Sequence, residues 1–509
     1  MNLAIIIAFV LIALFAKRRK SRGKRTGGRN VYRGPKHGAF KDYIREKERN
    51  RREHGAVRIR LVAHGDAGRN ERAVRLLPDL NGRGLLAILG AHDIPFDRLR
   101  RLTVRPGKHA RFAETELDGY PRSPPDGLAG DSVEDLAVRR ELYGYFDDHL
   151  YVDHPRFPGK AWKLPIAHDN LNPVLDPDCR LDKHAYMRLA GLPSTVSEFN
   201  FCGPNDYRNM NALLTGAFMA GQDRSGYWRF AYAHSLSNMY DRVGRPGSFD
   251  VSTDPLNCAA ERMVHFLYLR GDFAPFEPSV ALVLPDARAA TRGEKMSQMF
   301  PEWRQAFAWK ARLACAFPAD VPADARTVDH RTACGAAEAP FALADDPRLV
   351  VDRTAGTVRL TTARSCGVSV GRGKLAAGAL ALDVRRGGPM TTVGVASLDA
   401  APLAKSRRLL LLHLTDADSS GATYADRTRK LKIAEGRRQT LIRDGEAEVR
   451  LALDDPSSFD VYGLDAAGRR TGTVAATVED GALAFTARVR GERGARMCYE
   501  IVRKGEVTK

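Results

Sequence analysis

The sequence predicts an α/β region followed by an all-β sandwich, behind an N-terminal hydrophobic anchor. Three observations predict it. Between residues 141 and 275 three strand-like runs each lead into a helix-like stretch; from about Arg348 short runs alternate with period two; and Leu3 to Ala16 is unbroken apolar. At 509 residues the chain has room for two or three domains, because a single core rarely grows past roughly 250–300 residues.

The apolar run LAIIIAFVLIALFA leads straight into Lys17-Arg18-Arg19-Lys20. Counted from Met1 it offers 16 uncharged residues, just under the roughly 17–25 that span a bilayer. A secretory signal carries its charge before the apolar stretch and a small-residue cleavage site after it, and neither pattern is present. Residues 1–16 therefore read as an uncleaved anchor; a short interfacial helix or a misassigned gene start are the alternatives. The positive-inside rule then puts the domain on the cytoplasmic side, with the basic flank on anionic headgroups.

The chain holds 80 Lys or Arg against 61 Asp or Glu, a formal charge of +19. Residues 1–60 carry 18 of the bases and four of the acids, a net +14, leaving +5 for the other 449 residues. The excess belongs to a tail and not to a folded face, and no aromatics interleave it, so nucleic acid is not the expected partner. Seven scattered cysteines make neither a disulfide framework nor a CxxC zinc site.

The elements follow in order. Residues 61–140 are Arg-, Gly- and Pro-rich and weakly patterned. The first strand is expected over Tyr145–Val152, ending in Asp153-His154-Pro155; the second is Ser194–Phe199, with a loop over Asn200–Asn205 that opens a helix from Asp206. In that helix Tyr207, Met210, Leu213, Leu214, Ala217 and Phe218 recur at helical spacing and predict one buried stripe. The third strand is Tyr227–Ala233. Its helix starts with Asp254 as N-cap and Pro255 in the first turn, and stops at Gly271. Alternating strands and helices imply parallel strands joined by right-handed crossovers. A helical connection is expected over residues 276–340. Beyond it, strands are expected at Leu349–Asp352, Thr357–Thr361, Thr391–Ser397, Leu409–Leu414, Glu448–Leu453, Asp460–Leu464 and Leu483–Val489, the pattern of a sandwich.

In parallel sheets functional groups collect at the C-terminal strand ends. His149, Tyr151 and His154, then Glu198 and Asn200, then Tyr232 and His234 all fall there. Glu198 is the most informative, because a carboxylate near the end of an apolar strand is costly to bury without a task or a partner. The bland alternative is an ordinary buried ion pair. The chain has no HExxH, no GxSxG and no clustered metal ligands, and Gly371-Arg372-Gly373-Lys374 lacks phosphate-loop spacing and reads as a turn; no cofactor is expected.

Thr195-Val196-Ser197-Glu198-Phe199-Asn200, Pro204-Asn205-Asp206-Tyr207-Arg208, Gln222-Asp223 and Phe230-Ala231-Tyr232-Ala233-His234-Ser235 resemble the last barrel strands of large bacterial (β/α)8 glycoside hydrolases, the clan of β-galactosidases, cellulases and mannanases. Asp147-Asp148-His149-Leu150-Tyr151 with His154-Pro155-Arg156-Phe157-Pro158-Gly159 and Trp162 resembles their sixth strand and its loop. Ala396-Ser397-Leu398-Asp399 and Leu403–Leu410 are similar to their accessory sandwich. The resemblance covers about residues 141–503. It implies a partial (β/α)8 TIM-type barrel over 141–275 and a β-sandwich accessory region over 341–509.

By that resemblance Glu198 is the nucleophile of a retaining glycosidase, which works with two carboxyl groups about 5–5.5 Å apart. The family's acid/base is a Glu after an Asn on the fourth strand. Asn70-Glu71 is the only upstream Asn-Glu pair, which makes Glu71 the candidate, with Glu114 and Glu116 behind it. A barrel takes about 250 residues, and residues 141–272 supply three of its eight units. The first barrel half is therefore missing or degenerate. His149, Tyr151, His154 and Asn200 are expected to line a sugar subsite with Tyr232 and His234, and Trp162 and Trp228 to stack on a sugar face; strand-end hydrogen bonding and core packing are the structural alternatives. The expected function is retaining hydrolysis of a β-linked poly- or oligosaccharide. The alternatives are an inactive remnant that binds carbohydrate or acts as a scaffold, and a lipid- or nucleic-acid-tethering protein that rests on the tail. A polysaccharide substrate conflicts with a cytoplasmic domain unless the anchor is an artefact of the start site.

Overall fold

The computed structural model describes strands between residues 57 and 105, isolated helical positions from 133 to 140, and residues 145–505 apart from 177–180, 186–187, 241–245, 286–306, 330–338, 438 and 493. The expected anchor (1–16) and most of the basic flank lie outside the described residues; among those described, no helix is long and apolar enough to cross a membrane. The chain divides into two units, residues 1–81 with 99–113, and 82–98 with 114–509. In the first, Val57–Ala63 (β1) is flanked antiparallel by Glu71–Leu76 (β2) and Leu99–Arg105 (β3).

The second unit corrects the expected fold class. Strands far outnumber helices, and no (β/α)8 barrel, whole or half, forms among the described residues. Three parallel strands do occur: Phe146–Val152 (β4), Ser194–Phe201 (β6) and Gly226–Arg229 (β7) make one sheet in the order β4-β6-β7, with the two-residue strand Ile166–Ala167 (β5) in the loop behind β4. The sheet ends there, well short of the eight strands that close a barrel. A separate parallel sheet follows where a helical connection was expected, with Ser279–Val283 (β8) between Arg312–Ala316 (β9) and Arg326–Asp329 (β10).

The remainder is antiparallel. An eight-stranded sheet runs through Leu349–Asp352, Thr357–Thr361, Ser365–Val370, Thr391–Ser397, Arg408–Leu414, Cys498–Arg503, Phe459–Leu464 and Arg470–Val474. A five-stranded sheet faces it across a core that includes Val368, Val395, Leu411, Val449 and Ile501. Ser365–Val370 and Thr391–Ser397 are buried along their whole length, which marks strands covered on both faces.

Helices Asn211–Gly221 (α1) and Pro255–Val264 (α3) supply the second cover; Leu236–Tyr240 (α2) is a single short turn between them. α1 packs on α3 and on strands 357–361, 365–370 and 391–397, in one core with Phe199 and Phe201. Every residue of α1 is buried, so the expected single stripe is corrected to a helix enclosed all round. Gly367 and Gly394, opposite each other in register, make the groove. A Cβ at Gly367 would stand 2.7 Å from Leu213 Cδ2, and one at Gly394 2.5 Å from Met263 Cε.

An excursion of the sandwich folds back onto the loop behind β4. Leu431 and Lys432 pair with Ala167 and Ile166 of β5. Arg429 is bound to Asp206, to Asp416 at 2.6 Å and to Asp418 at 3.1 Å, while the fully buried Arg208 reaches Asp254 at 3.0 Å and the Ala417 carbonyl at 2.7 Å. Buried charges of both signs are thus matched, as a low-dielectric interior requires.

Candidate functional site

The site lies at the C-terminal ends of the parallel sheet. On β4, Asp148, Leu150 and Val152 are buried while His149 and Tyr151 between them are half-buried, the alternation of a strand with one covered face. On β6 strict alternation would put Glu198 on the covered face with Val196. A β-bulge prevents it: Asp148 pairs with Val196 and His149 with Glu198, so Ser197 has no opposite number. On the other side Val196 pairs with Tyr227 and Phe199 with Arg229, leaving Ser197 and Glu198 across from Trp228 alone. A one-residue slip turns every later side chain over, and here it turns Glu198 to the face of His149 and Tyr151.

Glu198 is held from two directions. The Tyr151 hydroxyl donates to its Oε2 at 2.5 Å, and His149 Nδ1 lies 3.4 Å from the same oxygen. Burial first, then this bond to Glu198, pushes the Tyr151 phenol well above its ordinary range, so it stays a donor. Behind the histidine, Asp147 accepts from Thr195 Oγ1 and from Ser197 Oγ, and Ser197 Oγ lies 3.3 Å from His149 Nε2. Ser197 Oγ thus bridges the Asp147 carboxyl and the His149 ring. Burial raises the Asp147 carboxyl against the opposing pull of these two hydroxyls.

Around the carboxylate stands an aromatic wall centred on Phe249. Its ring centroid is 5.6 Å from Tyr151, 5.3 Å from His154, 6.0 Å from Trp162, 5.7 Å from Phe230 and 6.2 Å from His234. Asn200, fully buried, does not face outward; its Nδ2 donates to the carbonyls of Phe230 at 2.8 Å and Phe249 at 2.6 Å and fastens the wall to β6. Trp162 packs 4.7 Å from Phe157 and is 63% exposed. Tyr227 and Arg229 both reach Glu261 on α3, so by alternation Trp228, 57% exposed, stands on the Glu198 face. Tyr232, two residues before His234, is exposed.

Two histidines complete it. His154 Nδ1 faces the Pro155 carbonyl at 2.9 Å, and burial lowers its pKa. His234 Nδ1 is hydrogen-bonded to the buried carboxylate of Asp250, which also accepts from Asn238 Nδ2 and, at 3.2 Å, from the His234 backbone N–H. Asp153 serves the opposite loop, accepting from Asp169 N at 2.7 Å, Asn170 N at 3.0 Å and Asn205 Nδ2 at 2.9 Å.

The structure therefore brings Glu198, His149, Tyr151, His154, Trp162 and His234 into one cluster and buries Asn200 beneath the backbone of Phe230 and Phe249. Glu71 opens β2 in the first unit, and its side chain lies outside the described residues. Sequence reasoning missed Phe249 and Asp250; the signal was an aromatic-acid pair in a Gly- and Pro-containing loop just ahead of the Asp254 N-cap. Among the described residues no group of three or more His, Cys, Asp or Glu is placed to hold a metal. Comparison with protein-family models, with curated proteins and with solved structures finds no match for the chain.

Proposed function

We propose that the protein cleaves a β-linked oligo- or polysaccharide by covalent displacement, with Glu198 as nucleophile. The observation that carries the reading is the bulge at Ser197, which aims Glu198 into an aromatic-walled rim where Tyr151 orients it. An ionised carboxylate oxygen attacks the anomeric carbon, the bond to the leaving oxygen breaks, and water later releases the sugar from Glu198. Half-exposed aromatic faces suit the apolar faces of pyranose rings. Trp162, Trp228 and Tyr232 are the platforms for them.

A second reading, carbohydrate binding without turnover, is favoured by one observation. The rim's other carboxylates, Asp153 and Asp250, are both spent on hydrogen bonds within the protein. The test is incubation of the full chain with 2-deoxy-2-fluoro-β-glycosyl fluorides, followed by intact mass and peptide mapping. An adduct on Glu198 that vanishes in Glu198→Gln is the expected result. No adduct and no turnover, with oligosaccharide binding seen by calorimetry, would leave the binding reading in its place.

A further inference from the structure

We infer that His234, oriented by Asp250, is the proton-transfer group of this site, in the role that a second carboxyl ordinarily fills in a retaining glycosidase. The inference rests on the reading of Glu198 as nucleophile.

Three histidines meet the rim, and their partners separate them. His149 has Ser197 at one nitrogen and Glu198 at the other, so neither edge is available to a leaving group. His154 donates to a neutral carbonyl, and its burial penalises the charged ring that an acid must pass through. His234 differs on both counts. Its side chain is 48% exposed, and its Nδ1 is hydrogen-bonded to Asp250, a buried carboxylate that orients the ring and leaves Nε2 on the opposite edge. Nε2 is then a donor in the charged ring and an acceptor in the neutral one, the two states that acid and base roles need.

Placement agrees. The His234 ring stands 5.1 Å from Phe230 and 6.2 Å from Phe249, and Tyr151, the donor to Glu198, stands 6.2 Å and 5.6 Å from the same two rings. One aromatic floor carries the nucleophile's partner and the His–Asp pair. Tyr151 cannot serve instead, because its proton is committed to Glu198 and its phenol is too weak an acid.

The steps balance. As Glu198 forms its bond to the anomeric carbon, the leaving oxygen takes the Nε2 proton of the His234 imidazolium and departs as an alcohol. In the second step neutral Nε2 takes a proton from water, the hydroxyl oxygen bonds to the anomeric carbon, and Glu198 leaves as a carboxylate. Asp250 keeps its hydrogen bond to Nδ1 throughout and acts as a positioning residue.

The test is leaving-group dependence on aryl β-glucosides and β-galactosides with the full chain. His234→Gln is expected to lower kcat/KM for phenyl glycosides by about 10²–10⁴-fold, while Glu198 adduct formation from 2,4-dinitrophenyl glycosides, which need no acid, falls by less than about tenfold. Added azide should restore turnover and yield the β-glycosyl azide. Asp250→Asn should show the same leaving-group bias more weakly, and it supplies the test if His234→Gln misfolds. Equal losses across leaving groups with no azide product, while Glu198 still forms its adduct, would overturn the role of His234. Failure of the unaltered chain to form any Glu198 adduct would overturn the nucleophile reading itself.

Discussion

The Tyr151 hydroxyl donates to Glu198 Oε2 across 2.5 Å, from one parallel strand to the next. Tyr151 pairs in register with Asn200, two residues beyond Glu198, so the phenol leans back along the strand to reach the carboxylate. The bond holds one oxygen and leaves the other for chemistry.

Tyr151→Phe removes that donor with little change in volume. A hydrogen bond to a charged group contributes about 1.5–3 kcal/mol, so Glu198 adduct formation should slow by about 10–100-fold. Stopped-flow or quenched mass measurement of adduct growth reads it. An unchanged rate would mean that the phenol only packs.

Arg429→Ala should be among the most damaging single changes away from the site. It strips compensation from Asp206, Asp416 and Asp418, and burial already raises the Asp416 carboxyl in spite of Arg429 and Arg208 beside it. Removing one partner of a buried pair costs about 3–5 kcal/mol. Chemical denaturation measures the loss, and faster proteolysis in the loop around Asn170 should accompany it, because Asn170 is tied to Asp206 and to the Thr428 carbonyl.

Gly221→Ala reverses the sign expected from helix propensity. Alanine is favoured in a helix by about 1 kcal/mol, yet a Cβ here would lie 2.1 Å from Phe276 Cε2 and 2.5 Å from Cδ2. The Phe276 N–H donates to the Gly221 carbonyl at 2.8 Å, so the ring cannot withdraw freely. A net loss of about 1–3 kcal/mol in urea unfolding is expected.

His413 makes stability fall in acid. Its side chain is buried, both ring nitrogens lack a hydrogen-bond partner among the described residues, and burial lowers its pKa from 6.5 to about 4. Below pH 6.5 the unfolded chain binds a proton that the folded chain refuses until about pH 4. The stabilisation is therefore complete above 6.5 and disappears as pH falls to about 4, a change of about 3 kcal/mol. His413→Leu should flatten the pH dependence of unfolding between pH 7 and 4. An identical slope in the variant would assign the acid sensitivity to other groups.

Local signals in the sequence were enough for local structure. Asp254 accepts from the N–H groups of Leu256 and Asn257 with Pro255 at the first helical turn, and the strands Leu349–Asp352, Thr357–Thr361 and Thr391–Ser397 have the bounds that alternation predicts. Capping and alternation act within a few residues, so a single sequence carries them. The residue types at the strand ends, Glu198 above all, were legible for the same reason. Which strands pair, and how many, was not: the sheet of β4, β6 and β7 stops at three, β8 to β10 form a second parallel sheet, and no barrel forms among the described residues. Nor could periodicity show that α1 is enclosed on every side, since its second cover is the sheet of residues 349–503 with Gly367 and Gly394 hollowed out for it. The bulge that turns Glu198 to the rim, and the meeting of Phe249 and Asp250 with Tyr151 and His234, depend on contacts between residues about 15 to 100 positions apart. Such contacts are set by how packed layers fit together, and only the tertiary structure decides them.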